Sequence, residues 1–261
     1  MIKCIASDVD GTLLLEGTKE LNPEYFDVIK KCKEKGITFI LASGRQYISL
    51  KRTFLPVLND VIFICDNGAY VKYQEEALAI HSIPRDVVED AVEFLRKQED
   101  IYFQISTPSH AYTECEDLEL IDQFEKGYQI DITRVDNMLE VTDPVIKIAV
   151  YNITQDVRKL ANITKDLFEE RADVVVSGEK WFDFVAKDIS KGYSLQEILD
   201  EKGIKKEECM AFGDNDNDIP MLACAKHSYA VATARNSLKK VASAILPEGK
   251  DVVLQKIKEI V

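Results

Sequence analysis

Lys3-Cys4-Ile5-Ala6-Ser7-Asp8-Val9-Asp10-Gly11-Thr12-Leu13 is the stretch whose reading decides the fold. Lys3 to Val9 is a short, mostly apolar run with the length of a buried strand rather than of a helix. It ends in two acids one residue apart, followed by a glycine. Successive side chains of an extended chain point to opposite sides. At a strand exit, however, the chain leaves the extended form, so the first acid can face a ligand while the second curls around it, and Asp8 and Asp10 can take different roles. A solvated turn is the plain alternative, because Asp and Gly are enriched in turns. The rest of the chain decides between the two.

Working outward, Pro23 to Gly36 shows helical spacing and ends on a glycine, and Thr38 to Ala42 is a second strand running into Ser43-Gly44-Arg45. Tyr47 to Leu58 reads as a helix. Val61 to Cys65 is a third apolar strand, stopped by the turn signal Asp66-Asn67-Gly68. Strand, helix, strand, helix, strand predicts a parallel sheet. From about Ser82 the texture changes. A helix over Arg85 to Lys97 leads to strands at Ile101 to Thr107 and Ala111 to Cys115, then to a segment of weaker periodicity from Asp117 to Asp143. A strand at Val145 to Tyr151, a helix over Val157 to Glu170, and strands around Val174 to Ser177 and Trp181 to Ala186 follow. At Ser190-Lys191-Gly192 the first texture returns: a helix from Gly192 to Lys202, a strand from Cys209 to Phe212 running into Gly213-Asp214-Asn215-Asp216-Asn217-Asp218, a helix from Ile219 to Ala225 and a strand at Ser228 to Val231.

The predicted fold class is α/β: a doubly wound, Rossmann-like parallel sheet in a core domain of residues 1–81 and 189–261, with an α+β cap domain of residues 82–188 inserted between its halves. A chain of 261 residues exceeds the size at which one hydrophobic core stops growing, which agrees with two domains. A net charge of −13 argues against nucleic acid and anionic membrane as partners. It also repels phosphorylated compounds, so a site for them must create positive potential locally from a metal, lysines or helix N-termini. The six cysteines form no CxxC pair, and no secretory or membrane-spanning run is evident, so a cytoplasmic protein with reduced thiols is expected. Oligomeric state is not set by these features.

In an open parallel sheet, ligands bind at the carboxyl ends of the strands, and every candidate motif falls at such an end. Phosphoryl transfer needs an in-line nucleophile, neutralisation of charge and a proton donor for the leaving oxygen. Asp8 can attack phosphorus, and Asp10 can protonate the leaving alcohol and later activate water. Lys191, Ser43 and nearby backbone N–H groups can hold the equatorial oxygens. Mg²⁺, which prefers carboxylate, carbonyl and phosphate oxygens, would keep Asp8 ionised, with Asp214 supplying a further carboxylate. The Asp214 to Asp218 run alternates like a calcium loop but lacks the downstream glutamate of an EF-hand.

Asp8-Val9-Asp10-Gly11-Thr12-Leu13, Ser43-Gly44-Arg45, Asn67-Gly68-Ala69, Lys191-Gly192 and Gly213-Asp214-Asn215-Asp216-Asn217-Asp218 together resemble the haloacid dehalogenase superfamily, in the order and spacing of its Cof-type phosphatases with the larger inserted cap. The resemblance implies Asp8 as nucleophile and Asp10 as acid/base. It implies Mg²⁺ on Asp8, the Asp10 carbonyl and Asp214, with Asp218 beside the metal or orienting Lys191. It assigns phosphate to Ser43, Gly44, Lys191 and Asn217, adds Thr12 and Arg45 as substrate-binding candidates, and offers Asp183 of the cap as a specificity residue. The expected substrates are small phosphate monoesters, sugar phosphates before flavin- or pyridoxal-type phosphates. A sugar phosphomutase using the same acids, or a silent phosphate sensor, are the alternatives.

Overall fold

The structure is a computed structural model that describes residues 1–14, 21–128, 130–154, 156–176 and 179–261. It divides into two compact units: Met1–Arg45, Leu50–Leu78 and Ser190–Val261 form the first, and Gln46–Ser49 with Ala79–Ile189 the second.

From the N-terminus the chain enters strand β1 (Cys4–Asp8), passes through helix α1 (Glu24–Glu34) to β2 (Thr38–Ala42), and then through α2 (Tyr47–Thr53) to β3 (Val61–Cys65). Helix α2 is shorter than its spacing predicts. Pro56 lacks an N–H and disfavours helical geometry in the residue before it, so the chain passes into a single 3₁₀ turn at Leu55–Val57. After β3 the backbone takes three positive φ angles in a row, 49° at Asp66, 58° at Asn67 and 110° at Gly68. This reverses the chain into β4 (Tyr70–Tyr73), antiparallel to β3, and β5 (Glu76–Ile80). The antiparallel edge is absent from the sequence expectations because a four-residue strand is too short for period-two alternation to register.

The second unit begins its regular structure at α3 (Arg85–Leu95) and continues through β6 (Ile101–Ser106), β7 (Ala111–Thr113), α4 (Leu118–Tyr128), β8 (Ile132–Arg134), β9 (Lys147–Asn152), α5 (Arg158–Phe168), β10 (Ala172–Val176) and β11 (Trp181–Ala186). Ser177, the expected end of the strand from Val174, lies outside the described residues. Asp117 caps α4 by accepting from the N–H groups of Glu119 and Leu120, both at 3.0 Å. The six-stranded sheet runs β10-β11-β9-β6-β7-β8. One face, with Ile105, Ile148, Val150, Phe182 and Phe184, shares a buried core with Val88, Ala91, Val92 and Leu95 of α3. The other carries Tyr102, Tyr151 and Trp181, which meet Phe124 of α4.

The chain returns to the first unit with α6 (Lys191–Glu201), β12 (Cys209–Gly213), α7 (Ile219–Ala223), β13 (His227–Ala230), α8 (Asn236–Val241), β14 (Ala244–Ile245) and α9 (Val252–Lys258). The eight-stranded sheet runs β14-β13-β12-β1-β2-β3-β4-β5, and its first six strands are parallel. Strands β1, β3 and β12 are buried along their whole length, which is why they read as continuous apolar runs rather than as alternations. From β1 the chain winds outward through β2 and β3, and from β12 it winds the other way through β13 and β14. The reversal therefore lies between β1 and β12, the topological switch point at which such sheets bind ligands. All six cysteines are free thiols. Among the described residues no helix is long and apolar enough to cross a membrane.

Candidate active site

Strand register brings the motifs level. Asp8 ends β1 opposite Ala42, directly before Ser43, and Ser7 pairs with Phe212, directly before Gly213 and Asp214. Lys191 opens α6, whose preceding residue Ser190 caps it by accepting from the N–H of Tyr193 at 3.1 Å. The helix start thereby fixes where the lysine stem begins. Lys191 is 1% exposed, and its Nζ donates to Asp8 Oδ1 at 2.6 Å and to Asp218 Oδ1 at 2.7 Å.

Asp218 has little left to offer. Its Oδ2 accepts from the N–H groups of Asp214 and Asn215 at 3.0 and 3.1 Å, so both oxygens serve to hold Lys191 and to close the loop after β12. Asp214 Oδ1 accepts from the Thr12 hydroxyl at 3.2 Å. Asp8 Oδ2, by contrast, is buried and meets no hydrogen-bond donor among the described residues. Gly11 makes this crowding possible. It sits at φ +86°, and a Cβ there would lie 2.4 Å from Asp214 Oδ2.

Three carboxylates, Asp8, Asp214 and Asp218, can present oxygens within 4.8 Å of one another, and the Lys191 ammonium offsets only part of that charge. Burial pushes the Asp8 carboxyl well above the usual range; Lys191 offsets part of this, while Asp218 and Asp214 add to it. Burial, reinforced by Asp218, pushes Asp214 to about 6. Burial opposes the charge on Lys191, but Asp218 and Asp8 outweigh it and raise the ammonium above its ordinary value. A surplus of buried negative charge, all-oxygen donors and one carboxylate oxygen without a donor are what a hard divalent cation would complete. The residues present fit Mg²⁺, and Asp8 and Asp214 are the side chains that would hold it.

The remaining candidates gather around the turn after β3. The Ser43 carbonyl accepts from the Asn67 N–H at 3.0 Å, and the Ser43 hydroxyl accepts from the Arg45 N–H at 3.1 Å. Asn217 donates from Nδ2 to Asn67 Oδ1 at 2.9 Å. A Cβ on Gly44 would touch the Asn67 amide at 3.3 Å, and one on Gly68 would lie 2.3 Å from the Ser190 carbonyl. The Gly68 carbonyl accepts from Ser194 of α6 at 2.7 Å. Asn67 thus joins the loops after β2 and β12, although its sequence signal is only that of a turn. Arg45 grips Asp10, with Nε on Oδ2 at 2.8 Å and Nη2 on Oδ1 at 2.5 Å. Asp183 lies in the second unit, 5% exposed on β11.

Comparison with known proteins gives the family. The chain is 27% identical over 240 residues to the Escherichia coli 5-amino-6-(5-phospho-D-ribitylamino)uracil phosphatase YbjI, covering 91% of this chain and 88% of that protein. It is 25% identical to the Bacillus subtilis phosphatase YwpJ, covering 94% of each. A crystal structure from Eubacterium rectale superposes with a TM-score of 0.91 at 28% identity, over 100% of this chain and 99% of that one. The family model for haloacid dehalogenase-like hydrolases matches residues 5–257, from the second residue of the β1 motif into the last helix. The chain is a hydrolase of the haloacid dehalogenase-like family.

Proposed function

We propose that this hydrolase cleaves small phosphate monoesters through an aspartyl phosphate on Asp8, with Mg²⁺ as cofactor. The observation that carries the reading is the asymmetry of the Asp8 carboxylate: Oδ1 is held by Lys191 and Oδ2 is left without a donor beside Asp214. A carboxylate so anchored would leave Oδ2 to the cation and hold Oδ1, beside Lys191, in a fixed direction for attack.

Mg²⁺ on Asp8, Asp214 and the Asp10 carbonyl would neutralise phosphoryl charge and keep Asp8 ionised. Asp8 attacks phosphorus, the ester P–O bond breaks, and Asp10 gives its proton to the departing alcohol. Asp10, now a carboxylate, takes a proton from the water that attacks the aspartyl phosphate, releasing inorganic phosphate and restoring Asp8. Lys191 faces the equatorial oxygens with its third N–H, and Ser43, whose hydroxyl already accepts from Arg45, has its O–H to donate. Asn217, held by Asn67, adds an amide. Asp218 keeps Lys191 and the loop in place, and Thr12 orients Asp214. Choice of leaving group is assigned to the inserted unit, with Asp183 as its candidate.

The substrate class proposed is the phosphate ester of a primary hydroxyl on a sugar or sugar-alcohol chain. This covers sugar phosphates and the phosphoribityl group in the name of YbjI and of the B. subtilis relative YitU, which is 25% identical. The test is phosphate release from such esters with Mg²⁺ and with chelator, with products analysed for isomerised sugar phosphate. Chelator-sensitive release is expected, with at least about a 1,000-fold loss in Asp8→Asn and an unchanged circular dichroism spectrum. Full turnover by Asp8→Asn would overturn the mechanism, and an isomerised product would convert the reading to a mutase.

A further inference from the structure

We infer that Arg45 is a positioning residue for Asp10, not a contact for substrate phosphate; the inference rests on the phosphatase reading above. Arg45 belongs to a motif whose neighbours Ser43 and Gly44 are phosphate candidates, yet its guanidinium is engaged by the Asp10 carboxylate. Two of its N–H groups, on Nε and Nη2, are taken by the two oxygens of one carboxylate. This is the fork geometry that makes arginine, rather than lysine, able to fix a carboxylate in rotation as well as in place.

Asp10 needs such a partner. Its side chain is 48% exposed, it precedes a glycine at φ +86°, and among the described residues Arg45 makes both hydrogen bonds to its carboxylate. Left alone, that side chain would sample several rotamers, and a group that passes a proton must sit within hydrogen-bond reach of the departing oxygen; protonation of one Asp10 oxygen for that step leaves Arg45 holding the other. The mount is itself rigid. The Arg45 N–H donates to Ser43 Oγ at 3.1 Å, and the Arg45 carbonyl accepts from the Asp66 N–H at 3.0 Å. The guanidinium is therefore carried by a backbone pinned on both sides of its Cα, and Arg45 acts on the reaction through the aim of Asp10.

The experiment separates aim from phosphate binding by the leaving group. p-Nitrophenolate departs without a proton, whereas a sugar alkoxide requires one, and kcat/KM reports only the steps through formation of the aspartyl phosphate. Arg45→Ala should lower kcat/KM for glucose 6-phosphate by about 100-fold, lower it for p-nitrophenyl phosphate by less than about 10-fold, and leave inhibition by inorganic phosphate within about 3-fold. Arg45→Lys, which keeps the charge but not the fork, should restore only part of the sugar-phosphate rate. Equal losses on both esters with weaker phosphate inhibition would make Arg45 a phosphate ligand, and no loss on either would leave it without a role; each overturns the inference alone. An unaltered protein that cleaves neither ester removes the phosphatase reading and this inference with it.

Discussion

Asp8 and Asp10 lie two positions apart, and each is paired with a cation from a distant segment, yet the two pairs sit in different media. Lys191, Asp8 and Asp218 have side chains 1%, 6% and 0% exposed. Arg45 and Asp10 have side chains 34% and 48% exposed. In the first group charge is held in a low dielectric, where desolvation is large and each partner is needed to justify the others. In the second, water screens the attraction, the free energy of pairing is small, and what the contact supplies is direction. Strand alternation would put these two acids on one face; because β1 ends at Asp8 and the chain turns at Gly11, one short stretch separates a charge that must be stabilised from one that must be aimed.

Breaking the buried group should have the largest effect. Lys191→Met leaves two carboxylates facing each other without a cation, and a loss of about 3–5 kcal/mol in unfolding free energy is expected from urea titration. If the midpoint hardly moves, the buried triad is not holding the sheet ends together. Gly11→Ala attacks the crowding between the two pairs. A Cβ at φ +86° must also displace Asp214 Oδ2 from 2.4 Å. A loss of about 2 kcal/mol is expected, with a reduced thermal shift on adding Mg²⁺ because Asp214 is moved from where it would meet the proposed cation. An unchanged Mg²⁺ shift would remove Asp214 from the ligand set. The smallest effect tests the screened limit. Arg235 pairs with Asp216 on the loop after β12, with side chains 61% and 49% exposed, and Arg235→Ala should cost under about 1 kcal/mol. A cost as large as that of Lys191→Met would mean that exposure is a poor guide to pairing energy in this loop.

The parallel sheet and the acids at its edge were legible in the sequence because both are local signals: apolar runs of strand length, and polar residues where those runs stop. What escaped is of another kind. Asn67-Gly68 announces a turn, and nothing nearby indicates that the Asn67 amide meets Asn217, 150 positions away. Arg45 reads as one more cation among phosphate candidates, and its partner is settled by where β1 and β2 end relative to one another. The helix from Leu118 hides in a stretch of weak periodicity because its buried residues, Ile121 and Phe124, join a small aromatic cluster rather than a long apolar face. Periodicity reports which face is dry. It does not report which polar groups from separate segments converge.

The three left-handed residues after β3 have a consequence for how this scaffold can change over time. Asp66, Asn67 and Gly68 touch the loop after β2, the loop after β12 and the start of α6 through contacts that depend on backbone position as much as on side chains. A segment shared by three neighbours cannot be lengthened or shortened to suit one of them without disturbing the other two. Such a segment acts as a gauge block: side chains beyond it can vary without touching it, while the spacing it sets is held by contacts on three sides.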